Sequence, residues 1–255
     1  MNIMSLAIYD ATKTQIQTAF EHKNEPILEK ETHFIFDKLL TVFITMSSDK
    51  VKSIKMDANV LSIIKPAYLF SPEHHANLLN WLARLIDIKM PLSDLDFGKL
   101  KIDFEHWYYE LGGTEIQFEY HDSYLLTPAE AADALGVSTV TIHKYAKQGM
   151  EMVENSKHKK YPKYVVEIMK NANYSFLMRI NYQNQKIRNQ TPKERLKEVN
   201  AAITEFQVLY GTMHCKDQFG EYDDSMDDPT DYYRWKDLEE EQAELFKLIG
   251  GRNSQ

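Results

Sequence analysis

One cysteine, Cys215, stands alone in 255 residues. That excludes an internal disulfide and a cysteine-based metal framework, fits a reducing compartment, and leaves Cys215 as a small buried hydrophobe. No run approaches the ~18 uninterrupted apolar residues of a membrane span. The opening MNIMSLAIYDATKTQ lacks the basic start, apolar stretch and small-residue cleavage site of a secretory signal. The chain therefore reads as cytoplasmic, with no membrane partner. Its nine glycines include no phosphate-binding loop and no G-x-S-x-G elbow. His74 and His75 are adjacent, without Cys or acid at ligand spacing, and read as surface histidines. Cys215 has only His214 beside it, and the acid-rich stretch from Asp217 to Asp231 lacks the spacing of an EF-hand loop. No catalytic residue, metal or cofactor is assigned, and the chain is not expected to be an enzyme. What remains is a folded protein, 43% hydrophobic and 12% aromatic, long enough for one large domain or two to three small ones.

The passage from Leu125 to Lys170 is where residue order becomes informative. Thr127, Pro128 and Glu130 supply an N-cap, a proline in the first turn and a capping-box acid. The helix they start places Ala131, Ala134 and Leu135 on one face, and Gly136 provides the sharp exit. Ser138 caps a second helix, which runs from Thr139 to Gln148 and stops at Gly149. Two short helices across a tight turn form a helix-turn-helix pattern, whose second helix enters the major groove. Val137, Ile142, Tyr145 and Ala146 are needed to pack that helix on the first. Thr139, Val140, His143, Lys144 and Lys147 face outward, with Ser138 and Thr141 at the helix start. Thr and Val suit a thymine methyl, and Lys suits guanine or phosphate. Ser156 to Pro162 reads as a basic hairpin wing bringing Lys157, His158, Lys159 and Lys160 to the phosphates, and Tyr164 to Met169 closes a small core.

LTPAEAADALGVS followed by T-I-x-K-Y-x-K-Q-G resembles the excisionase-type DNA-binding domain, a branch of the MerR-like winged helices. The resemblance covers under a fifth of the chain and implies a winged helix-turn-helix bound to double-stranded DNA. Two departures stand out. Thr139 occupies the position where members often carry Arg, and the wing offers lysines where a typical member has a glycine and paired arginines.

The net charge of −8 is unevenly distributed. From Lys144 to Lys163 six lysines face Glu151 and Glu154, a surplus of four positive charges, whereas from Asp217 to Glu244 twelve acids face Arg234 and Lys236, a surplus of ten negative ones. Phosphate contacts depend on the local field of the docking face, so the basic segment is compatible with DNA.

The flanks frame three regions: 1–121 as an N-terminal α+β region, 122–173 as the winged helix-turn-helix, and 174–255 as a helical hairpin for oligomerisation or partner binding. The fold class is mainly α with minor β. Upstream, Met4 to Phe20 is loosely helical, and Phe34 to Ile44 is dense core compatible with helix or strand. Val51 to Ile64 holds a short strand or helix, Ser71-Pro72-Glu73 starts an amphipathic helix, and a further helix spans Phe104 to Leu111. Gly112-Gly113 then turns into the alternating strand Ile116, Phe118, Tyr120. Downstream, Thr191-Pro192-x-Glu194 starts a long helix ending at Gly211, and a final helix runs through Ile249.

An amphipathic helix and strand ahead of such a domain are similar to those of some bacterial antitoxins of the PIN-toxin type, which implies an operator-binding repressor that also neutralises a protein partner. The tail motif Asp231-Tyr232-x-x-Trp235 resembles small bacterial antitoxins; the alternative is a helical hairpin that packs on the rest of the chain or forms a dimer. Tyr232, Tyr233 and Trp235 are the expected aromatic anchors of a partner contact, because such side chains dominate interface energetics. The expected function is a bacterial or phage transcriptional regulator, homo-oligomeric, with a toxin or recombinase as protein partner. Two alternatives are a DNA-architectural factor in excision, plasmid partition or phage development, and a protein-interaction module without DNA.

Overall fold

The structure, a computed structural model, describes residues 3–57, 60, 64, 66–155, 158–220 and 230–251. It is mainly helical and divides into two compact units, Met1–Gln185 and Lys186–Gln255. Local capping chemistry explains where many helices begin. α1 (Leu6–Glu21) is capped by Ser5, and α2 (Glu25–Thr41) by Asn24 with a proline in its first turn. The residues Phe34 to Ile44 are thus helical, with Val42–Met46 continuing α2 as a π-turn. β1 (Val51–Met56) follows, then α3 (Pro66–Leu69) and α4 (Pro72–Asp87), where Ser71 Oγ accepts from His74 N at 3.0 Å. α5 (Asp94–Glu110) starts ten residues before the expected Phe104, because Ser93 caps it and Asp94 and Asp96 favour its first turn.

β2 (Ile116–Tyr120) pairs antiparallel with β1. The turn before β2 is held by Asp57, which accepts from Thr114 N at 2.7 Å and from Tyr108 OH at 2.9 Å. At Gly113 a Cβ would lie 2.2 Å from Tyr108 Cε1, so only glycine fits beneath that ring.

Five short elements follow: β3 (Leu125–Leu126), α6 (Pro128–Leu135), α7 (Thr139–Lys147), β4 (Val153–Asn155) and β5 (His158–Pro162). β3, β5 and β4 form an antiparallel sheet in that order. α8 (Lys163–Met169) and α9 (Ala172–Asn189) complete this part of the chain.

The segments 1–121 and 122–173 do not have separate cores. One continuous cluster of buried side chains runs from Met4 to Met178. Phe43, in the π-turn, lies 5.2 Å from Phe104 of α5 and 5.2 Å from Phe118 of β2, and Phe97 of α5 lies 5.6 Å from Tyr164 of α8. α8 seats on α5 at Gly98, where an added Cβ would lie 2.6 Å from Tyr164 Cδ2. A hydrophobic surface shared in this way binds the two segments into one folding unit. His74 also departs from expectation. It is fully buried, and because Thr32 Oγ1 spends its proton on Leu28 O at 2.7 Å, His74 Nε2 is the donor in their 3.0 Å bond. Burial lowers its pKa to about 4.

The C-terminal unit is a helical hairpin. α10 (Pro192–Tyr210) opens with the capping box of Thr191 and Glu194 and closes at Gly211, whose φ of 69° is the left-handed stop that glycine supplies. α11 (Cys215–Phe219) and α12 (Thr230–Gly251) follow. Val199, Ile203, Phe206, Cys215, Tyr232 and Trp235 form its core, and Arg195 grips Glu241 through two bonds of 2.6 and 2.7 Å.

Candidate nucleic-acid interface

α6 and α7 are built as their residues dictate. Thr127 Oγ1 accepts from Glu130 N at 3.3 Å while Glu130 Oε2 accepts from Thr127 N at 2.7 Å, a reciprocal cap. The Thr127 N–H holds the Glu130 carboxyl below the usual carboxylate range. Gly136, at φ 67°, ends α6, and Val137 N returns to Ala132 O at 3.0 Å. The buried alanines are Ala131 and Ala132, and Ala134 is exposed, since the inward face of α6 runs through Ala131, Ala132 and Leu135 and Ala134 lies off it. Ser138 then caps α7 by accepting from Thr141 N at 3.1 Å.

Ile142 and Ala146 are buried and seat α7 against α6, with Val137 and Tyr145 partly buried beside them. Thr139, Val140, His143, Lys144 and Lys147 are all exposed, and Val140 is 75% exposed. Ser138 Oγ also lies 3.0 Å from Thr141 Oγ1, so these two hydroxyls are engaged in the cap, and Thr141 is half-buried. They shape the start of the helix more than they extend from it.

Val153 pairs with Lys160 and Glu154 with Lys159 across β4 and β5. Lys159 is exposed, whereas Lys160 Nζ is held 3.0 Å from Asp122 Oδ1. Lys157 and the side chain of His158 lie outside the described residues, as does 221–229 of the acidic loop. One cation was not foreseen: Arg179 of α9 lies with its guanidinium 5.9 Å from the Tyr145 ring centre on α7. It is 34 positions away in sequence, and no local pattern links the two.

The aromatic anchors assigned to the tail divide. Trp235 is fully buried and Tyr232 nearly so, stacked and edged against Phe206, Tyr210 and Phe219, so both serve the hairpin's own core. Tyr233 is 45% exposed and meets the Tyr232 ring edge-on at 5.3 Å. The motif spaces them as neighbours, but α12 turns Tyr232 and Trp235 inward and Tyr233 out.

Among the described residues, no helix is long and apolar enough to cross a membrane. Comparison with protein-family models, curated proteins and solved structures finds no match to this chain.

Proposed function

We propose that the chain is a sequence-specific DNA-binding regulator whose 122–173 segment is a winged helix-turn-helix of the excisionase type, with α7 as the recognition helix and the β4–β5 hairpin as the wing. The observation that carries this reading is the division of α7 into two faces. Ile142 and Ala146 hold it on α6, and the opposite face presents an aliphatic side chain, a hydroxyl, an imidazole and two ammonium groups. That set matches what base edges and phosphates require: Val140 and Thr139 for thymine methyls, His143 for a base edge, Lys144 and Lys147 for guanine or phosphate. Lysines in the last turn also favour the helix dipole, so their presence costs the fold nothing.

The role is binding, not catalysis. α8 packs on α5, so the segment that carries α7 shares its core with the N-terminal helices, and the negative surplus of the C-terminal segment opposes phosphate contact. Homo-oligomerisation would let two copies read a palindromic operator.

Selection from a random duplex library with the full chain, followed by footprinting of the enriched sequences, tests the reading. A defined motif one groove wide per protomer is the expected result. Enrichment by bendability alone would favour an architectural factor, and failure to retain any duplex at low salt would leave the protein-interaction reading.

A further inference from the structure

A cavity of about 370 Å³ lies inside the N-terminal unit, between α5, β2, the 149–153 segment that leaves α7, and α9. That size falls within the range of small-ligand sites. Ile116, Phe118, Met150, Met152 and Met178 give it apolar walls, and thioethers adapt their shape to what they touch. Its charged lining has one sign: Glu105, Glu115 and Glu151 line it, and among the described residues no lysine, arginine or histidine does.

The acids differ in how well they are satisfied. Glu151 is satisfied from behind, with Tyr120 OH donating to Oε1 at 2.8 Å and both Tyr164 OH and Lys101 Nζ donating to Oε2. Glu105 is half satisfied. Its Oε1 accepts from Lys101 Nζ at 2.6 Å, while Oε2 has no donor among the described residues, in a side chain only 16% exposed. Solvent reaches that oxygen, so a bound donor would replace water there. Lys101, buried behind the wall, is shared between two carboxylates.

We propose that this cavity binds a small organic cation, an ammonium or guanidinium on an apolar body, whose N–H groups donate to Glu105 Oε2 while the body lies against Phe118 and the methionines. A hard divalent cation would want several oxygens converging at one point, and among the described residues no group of three or more acids, histidines or cysteines converges so. An anion would meet three carboxylates. The 149–153 segment continues directly from α7, and Ala146 of α7 itself lines the cavity, so an occupant braces the helix; that consequence rests on the DNA-binding reading, but the binding does not.

The groups facing Glu105 set the pH response. They are Lys101 on its own helix, Glu151 from the segment after α7, and Tyr120 and Tyr164; Glu115 from just before β2, Tyr109, Tyr182 and Asn181, which in turn meets His106, line the same cavity. Burial pushes the Glu105 carboxyl up to about 7, with Lys101 opposing and Glu151 reinforcing. A cation bound near pH 7 therefore expels a proton.

The full chain would be titrated calorimetrically with phenethylammonium chloride at pH 7, in two buffers of different ionisation enthalpy, with 2-phenylethanol as the neutral isostere and no DNA present. The expected result is saturable 1:1 binding of the cation, at least tenfold weaker binding of the alcohol, and heats that differ between buffers by the released proton. Glu105→Gln should weaken the cation at least tenfold and remove the buffer dependence. If that variant does not fold, the native chain at pH 5.5 serves instead, where a protonated Glu105 should weaken binding about tenfold. Equal affinity for the two probes, or no saturable binding of the ammonium, would overturn the proposal. Calorimetric binding in a chain that retains no duplex would overturn only the DNA reading.

Discussion

Replacing Gly98 by alanine tests the claim that segment 122–173 and the N-terminal helices share one core. Gly98 sits in the middle of α5 with no left-handed backbone to justify it, so helix propensity alone favours alanine by about 0.5–1 kcal/mol. Packing opposes this. The new Cβ would lie 2.6 Å from Tyr164 Cδ2 and 2.7 Å from Ile168 Cγ1, against about 3.5–4 Å for ordinary carbon contacts. α8 must therefore shift by roughly 1 Å, and neither Tyr164 nor Ile168 can give, since both are fully buried. Overpacking of this kind costs about 1–3 kcal/mol, which leaves a net loss of about 1–2 kcal/mol. Urea denaturation of the full chain, followed by Trp81 and Trp107 fluorescence in a Trp235→Phe background, would measure it. A Gly98→Ala chain as stable as the parent, or more so, would refute the seating of α8 on α5.

Four further outcomes follow from particular residues. Lys101→Met should destabilise the chain by about 3–5 kcal/mol in the same assay, because it strands Glu105 and Glu151 without their shared cation. His74 stays neutral in the folded state below its unfolded pKa, so stability falls as pH drops from about 6.5 toward about 4. His74→Leu should flatten that slope in denaturation curves taken across the interval. Thr127→Ala should cost about 1 kcal/mol by removing the α6 cap, read as a lower denaturation midpoint. Cys215 is buried and its thiol is pushed up by burial, so iodoacetamide should modify it only at denaturant concentrations that open the hairpin.

What the sequence disclosed was local chemistry. Ser71, Thr127, Ser138 and Thr191 announce their helices because a cap is decided within four residues, and Gly136 and Gly211 announce the stops for the same reason. The outward face of α7 was equally legible, since 3.6-residue periodicity assigns it once Ile142 and Ala146 are placed inside. Tertiary facts were not. Phe34 to Ile44 lacks a clean period because Phe34, Leu40 and Ile44 are apolar without being buried, and α2 runs into a π-turn. His74 looked like a surface residue until α2 supplied Thr32 from 42 positions away. Trp235 looked like an anchor because nothing in its own segment shows that Phe206 stacks on it. The shared core depends on Gly98, which sequence patterns rate only as a weak helix position.

The DNA-binding account is tested most directly by the salt dependence of duplex binding, measured by fluorescence titration of the full chain on its selected sequence. Lys144→Ala with Lys147→Ala should weaken binding and reduce the slope of log K against log salt by about 1.8, two phosphate contacts at roughly 0.9 each. Thr139→Ala or His143→Ala should leave that slope in place and change which sequence is preferred. If the double lysine variant bound the duplex with unchanged affinity at every salt concentration, α7 would not be the docking face.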